Sequence, residues 1–116
     1  MGEYHFSAEL AQQYGLDEAI MLHNLAYWMR KNALDGRNIH DGQVFSSLEA
    51  FTEWFPFWSV KQIRRILASL EQQALIRKGN YNKRATDRTT WYTITAQDVL
   101  GYYGISNVEV SAQTDN

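Results

Sequence analysis

Ser59-Val60-Lys61-Gln62-Ile63-Arg64-Arg65-Ile66-Leu67-Ala68-Ser69-Leu70 carries two signals at once, one for how the chain folds and one for what its outer surface holds. Ser59 and Gln62 have the spacing of a capping box, in which the hydroxyl takes the backbone N–H three residues on and the longer side chain reaches back. Trp58 and Ile63 stand where a hydrophobic staple brackets such a cap. Ile63, Ile66, Leu67, Leu70 and Ala74 then recur at i, i+3, i+4 and i+7, predicting one buried stripe on a helix. Lys61, Gln62, Arg64, Arg65 and Ser69 fall elsewhere on its circumference, so the outward side is cationic.

Working outward from this helix, the charge is strongly segregated. Eight of the eleven Lys and Arg residues lie between Ser59 and Thr90: Lys61, Arg64, Arg65, Arg77, Lys78, Lys83, Arg84 and Arg88. Against them stand only Glu71 and Asp87, so the window carries a net +6 while the rest of the chain carries −8. The sequence pI of about 5.9 argues against nucleic-acid affinity. Phosphate, however, responds to the local field of a surface and not to a whole-chain sum.

After Leu75 the helical period gives way to an extended one: Leu75-Ile76-Arg77-Lys78, a loop from Asn80 to Asp87, then the β-rich Thr89-Thr90-Trp91-Tyr92-Thr93-Ile94. This predicts a hairpin with a basic tip. Trp91 and Tyr92 are strand neighbours on opposite faces, so one belongs to the core. Asp87 and Arg88 can order the loop as an ion pair, or Arg88 can face outward; Tyr81 is read as pinning the loop.

Before the capped helix, Phe55-Pro56-Phe57-Trp58 holds the chain's one proline, which removes a backbone donor and turns the chain between two helices. Ser46-Ser47-Leu48-Glu49 has the Ser-x-x-Glu spacing of another capping box, opening a helix to about Trp54. Asn38 to Phe45, with its Asp41-Gly42 step, predicts a tight turn and one short strand. Further upstream, a helix over Ser7 to Tyr14 stops at Gly15. A longer one from about Glu18 to Leu34, capped by Asp17 and apolar around nearly its whole circumference, is the central core helix. Asp35-Gly36 ends it. Thr95 to Asp98 can cap a last short helix to about Tyr103.

The sum is an α+β fold: a winged helix-turn-helix with a three-helix core, extra short helices and a small antiparallel sheet whose β-hairpin is the wing. Residues 1–104 form this one domain, and 105–116 read as a flexible polar tail or linker. With 45% hydrophobic and 14% aromatic residues, the chain has apolar area enough to fold without staples. The absence of cysteine excludes disulfides and thiolate-bound zinc. No signal peptide or membrane span is legible, so the cytoplasm is the expected location.

Several short stretches, read together, go further: Tyr14-Gly15-Leu16-Asp17-Glu18-Ala19-Ile20, His40-Asp41-Gly42, Phe55-Pro56-Phe57, Gln62-Ile63-Arg64-Arg65-Ile66-Leu67, Gly79-Asn80-Tyr81-Asn82-Lys83 and Asp87-Arg88-Thr89-Thr90-Trp91-Tyr92. Over about Phe6 to Thr95 the chain resembles the N-terminal winged-helix domain of replication-initiator or replisome-organiser (DnaD-like) proteins of bacterial phages and related mobile elements. The resemblance implies binding of double-stranded DNA, at a replication origin, in a longer parent protein whose C-terminal region meets host replication proteins.

A recognition helix enters the major groove by its N-terminal turns, which here places Lys61, Gln62 and Arg65 nearest base edges. Gln pairs bidentately with adenine and Arg with guanine. Arg64 lies about 100° from Arg65 and so meets phosphate if Arg65 meets base. Ser59 at the helix N-terminus suits a phosphate, and Ser69, Lys78, Lys83, Arg84 and Arg88 complete the expected DNA-binding set. Roughly five phosphate contacts would give a log–log salt slope of about −4 to −5.

Other chemistries find no support. His5, His23 and His40 are too scattered for a metal site, and no cofactor loop, nucleophilic triad or carboxylate pair is present, so an enzyme is not expected. His23 and Asn24 in the apolar central helix read as a satisfied polar pair near its edge, or as a subunit contact of a homodimer. The acidic remainder and the many aromatics support an alternative, a winged helix used for protein contacts, and a transcription repressor is equally compatible with the residues themselves.

Overall fold

The computed structural model describes residues 3–34, 44–46, 48–79 and 90–105. Among these the chain is α+β and mostly helical, in the order α1 (Ala8–Tyr14), α2 (Leu16–Leu34), β1 (Val44–Ser46), α3 (Leu48–Trp54), α4 (Val60–Gln72), β2 (Ile76–Gly79), β3 (Thr90–Ile94) and α5 (Gln97–Tyr102). The three strands form one antiparallel sheet in the order β1-β3-β2. Val44 to Ser46 face Tyr92 to Thr90, and Ile76 to Gly79 face Ile94 to Trp91.

Helix α2 is the spine. Ala19, Met21, Leu22, Leu25, Ala26 and Met29 are all buried, and α2 touches α1, α4, β1 and β3, which is why its apolar residues run most of the way round. Phe51 of α3 lies edge-on to both Trp54 and Tyr92, while Trp28 stacks on Trp54 with ring centroids 5.4 Å apart. Tyr92 is buried, at 6% exposure, and belongs to the core. The buried Ile94 N–H donates to Sδ of Met29 at 3.4 Å, tying β3 to α2.

The start of α4 matches the capping-box expectation in full: Ser59 Oγ accepts from the Gln62 N–H at 3.1 Å and Gln62 Oε1 accepts from the Ser59 N–H at 2.9 Å. Trp58 and Ile63 are both buried, as a staple requires. Phe55 to Ser59 make the turn around Pro56 between α3 and α4.

Four local expectations are corrected. Helix α2 begins at Leu16, not Glu18. The carbonyl of Gly15 accepts from the Ala19 N–H at 2.9 Å, so Gly15 is the cap and Asp17 sits inside the first turn. Ser46 belongs to β1 and does not cap α3, which starts at Leu48; residue 47, which precedes that start, lies outside the described residues. Ala74 is exposed and not part of the buried stripe. It takes φ +60 just after α4, where its N–H donates to the Glu71 carbonyl and that of Leu75 to the Leu70 carbonyl, the paired closure of a Schellman motif with alanine in the position glycine usually fills. Finally, α5 has no side-chain cap, because its N-cap position falls on Ala96, whose methyl cannot accept a hydrogen bond, and not on Thr95; the Thr95 and Ala96 N–H groups donate to the Leu75 carbonyl.

No described helix is long and apolar enough to cross a membrane. The expected turn at 35–43, the hairpin tip at 80–89 and the tail from 106 lie outside the described residues.

Candidate nucleic-acid interface

Thirteen residues of α4 span about 20 Å at 1.5 Å per residue. Its buried side is Ile63, Ile66, Leu67 and Leu70, packed against the core. At about 100° per residue, Lys61, Arg65, Ala68 and Gln72 fall on the side directly opposite, within about 60° of one another. All four are exposed, as is Arg64 on one flank. The outer stripe is therefore Lys61, Arg65, Ala68 and Gln72 at i, i+4, i+7 and i+11. Ala68 and Gln72 were not among the residues singled out from sequence. The same wheel that found the buried stripe would have found them, had it been read from Lys61 as well as from Ile63. Ala68 puts a small apolar group at the centre of the face, where a thymine methyl would be a chemical match.

The polar partners divide the expected site residues into two sets. Lys61 and Arg64 are exposed and have no carboxylate partner among the described residues. Arg65 Nη2 stands 3.5 Å from Asp17 Oδ2, with the two side chains 59% and 35% exposed. Lys78 Nζ stands 3.7 Å from Glu71 Oε1, joining β2 to α4. Both are surface pairs, each worth at most about 1 kcal/mol. Strand alternation turns Arg77 to the sheet face opposite Lys78, so these two neighbours do not act together.

Three expected contacts are already occupied within the protein. The carboxamide oxygen of Gln62 is held in the capping box, so a bidentate pair with adenine would dismantle the cap. Ser69 Oγ donates to Glu18 Oε2 at 2.6 Å and accepts from Gln73 Nε2 at 3.2 Å, which places Ser69 in the packing between α4 and α2 and leaves no free donor. Ser59 uses both its N–H and its hydroxyl in the box. The N–H groups of Val60 and Lys61, without partners among the described residues, are those open to a phosphate at this helix end. Lys83, Arg84 and Arg88 lie outside the described residues.

A second surface lies around the N-terminal segment. Tyr4 donates its hydroxyl to the Trp54 carbonyl at 2.7 Å and meets Phe57 edge-on at 4.9 Å. With His5, His23, Tyr27 and Phe55 it lines a pocket of about 200 Å³. The His23 ring is 5.9 Å from that of His5 and 5.5 Å from that of Tyr103. Burial first, then the charges of His5 and Arg30, hold the His23 pKa below the ordinary imidazole value. The expectation of a satisfied His23-Asn24 pair is corrected on one side: Asn24 Oδ1 is buried with no partner among the described residues. Burial also pushes the Tyr103 phenol up to about 12. No group of His, Cys, Asp or Glu among the described residues is arranged to hold a metal ion.

Comparison with known proteins adds no relative: no family model, curated protein or solved structure matches the chain.

Proposed function

We propose that the chain is a winged helix-turn-helix domain that binds double-stranded DNA in a sequence-specific manner, with α4 as the recognition helix and β2-β3 as the root of the wing. The observation that carries this reading is the outward face of α4. Lys61, Arg64 and Arg65 occupy its first two turns, exposed, on a helix whose start is fixed by a complete capping box. N-terminal turns are the part of a recognition helix that meets base edges, and unpaired cations beside them meet phosphate. The order of elements, with α3, a proline turn and α4 followed by two paired strands, is compatible with that docking. The role in replication, in a phage or mobile element and with host replication proteins as partners, rests on the resemblance of the sequence. The reading assigns the domain a binding role in the cytoplasm and no catalysis.

Fluorescence anisotropy on duplex DNA across a salt series tests it. Binding is expected to weaken steeply with salt, and Lys61→Ala and Arg64→Ala are each expected to make the log–log slope shallower by about 1. A flat salt response by the unaltered chain would exclude the reading.

One observation favours a second reading, a protein-contact module or homodimer. Tyr4, Phe6, Tyr27, Phe57 and Tyr102 are each at least 41% exposed, and exposed aromatic groups mark partner surfaces. A stable oligomer by light scattering, together with no DNA affinity at moderate salt, would support it over the first.

A further inference from the structure

Each flank of α4 carries a carboxylate set against a cation: Asp17 beside Arg65 on one side and Glu71 beside Lys78 on the other. Only Lys61 and Arg64, among the described cations of α4, stand free. Resting on the reading of α4 as a recognition helix, we propose that Asp17 is a specificity-determining residue: it positions the Arg65 guanidinium for a base edge and keeps it from settling on phosphate.

Asp17 is well placed to act as a fixed point. It lies in the first turn of the nineteen-residue α2, two residues after the Gly15 cap. Its neighbour Glu18 is bonded to Ser69 of α4, and Gln73 Nε2 donates to the Tyr14 carbonyl at 3.2 Å. The chain is thus fastened to the flank of α4 on both sides of Asp17, at Tyr14 closing α1 and at Glu18 in α2, which holds the Asp17 backbone beside Arg65.

The chemistry of the guanidinium allows both tasks together. Arg offers five N–H donors in a planar fork, and the Asp17 contact engages Nη2 alone. The remaining donors suffice for the two parallel bonds to guanine O6 and N7. A phosphate oxygen drawn to the same fork would approach the Asp17 carboxylate, and the like charges oppose that approach. A guanine edge carries no net charge and meets no such opposition. Arg64 and Lys61, which lack an acidic neighbour, are then the cations left for the backbone.

The test uses a duplex selected from a randomised library and an unrelated duplex, titrated with the unaltered chain, Asp17→Ala, Asp17→Asn, Arg65→Ala and the double variant Asp17→Ala/Arg65→Ala. Asp17→Ala is expected to tighten binding to the unrelated duplex while the ratio of selected to unrelated affinity falls by about threefold to fivefold, as a surface pair of this kind allows. Asp17→Asn keeps an acceptor oxygen and is expected to retain part of that ratio. The double variant is expected to discriminate no worse than either single one, because both remove the same interaction. Arg65→Lys, which keeps the charge and removes the fork, should lower the ratio with the salt slope unchanged. If Asp17→Ala strengthens both duplexes alike and the ratio stands, the positioning role is overturned while the DNA-binding reading survives. If the unaltered chain binds neither duplex in a salt-dependent way, both fall.

Discussion

Ser69 of α4 donates its hydroxyl hydrogen to Glu18 of α2 across 2.6 Å, and the Glu18 carboxylate in turn lies over Gly15. The bond joins positions fifty-one residues apart and sets how α2 meets the flank of α4. It works only because Gly15 has no side chain. At φ +120 a residue with a Cβ is strained whatever the space, and here the added methyl would also run into Glu18 Oε1.

Gly15→Ala should therefore destabilise the chain by about 1–3 kcal/mol, as expected for a residue forced into a sparsely populated backbone region. Urea denaturation measures it. Adding Glu18→Ala to remove the collision should return only part of the loss, since the backbone strain persists.

Ala74 offers the opposite case. Its left-handed conformation at φ +60 closes α4, at an expense of about 1–2 kcal/mol that glycine avoids. Glycine also has more freedom to lose from the unfolded chain, so Ala74→Gly should stabilise by roughly 0.5–1 kcal/mol net. For a domain of this size that raises Tm by a few degrees, by about 4–8 °C per kcal/mol.

Met29 serves the sheet through its sulfur. Met29→Leu conserves volume but takes away the acceptor for the buried Ile94 N–H. A loss of about 1–2 kcal/mol is expected, more than the bulk change alone would bring. Faster amide exchange at Ile94 than at Tyr92 in the variant would identify the cause.

The lowered His23 pKa makes stability fall on the acid side. Between the lowered folded value and the ordinary value near 6.5 the unfolded chain binds more protons, so stability rises with pH through this window and declines as pH drops through it. Thermal unfolding from about pH 8 to pH 5 should show this decline, and His23→Gln should flatten it.

The capped start of α4, its buried stripe and the proline turn were legible because each signal is local: a side chain acts on backbone three residues away, or apolar groups repeat along one helix. The pattern also located β2 and β3 by their change of period. What the sequence concealed lies in long-range polar pairing. Ser69 and Arg65 look like free surface groups until α2 is folded against them and Glu18 and Asp17 claim them. Asp17 resembled a cap because its side-chain oxygen precedes Glu18, yet Gly15 performs that task with its own carbonyl. Ala74 fits the helical period and differs only in its backbone angle, which no apolar count reveals.

The placement of β3 between β1 and β2 has a consequence for the order of assembly. During synthesis the two outer strands leave the ribosome first, and each has its native partner only in β3. Until Thr90 to Ile94 has emerged, helices can associate but there is no sheet to close beneath them. Tertiary structure in this molecule is thus expected to complete itself late, in one concerted step, and a nascent chain stalled at Gly79 would be collapsed without being folded.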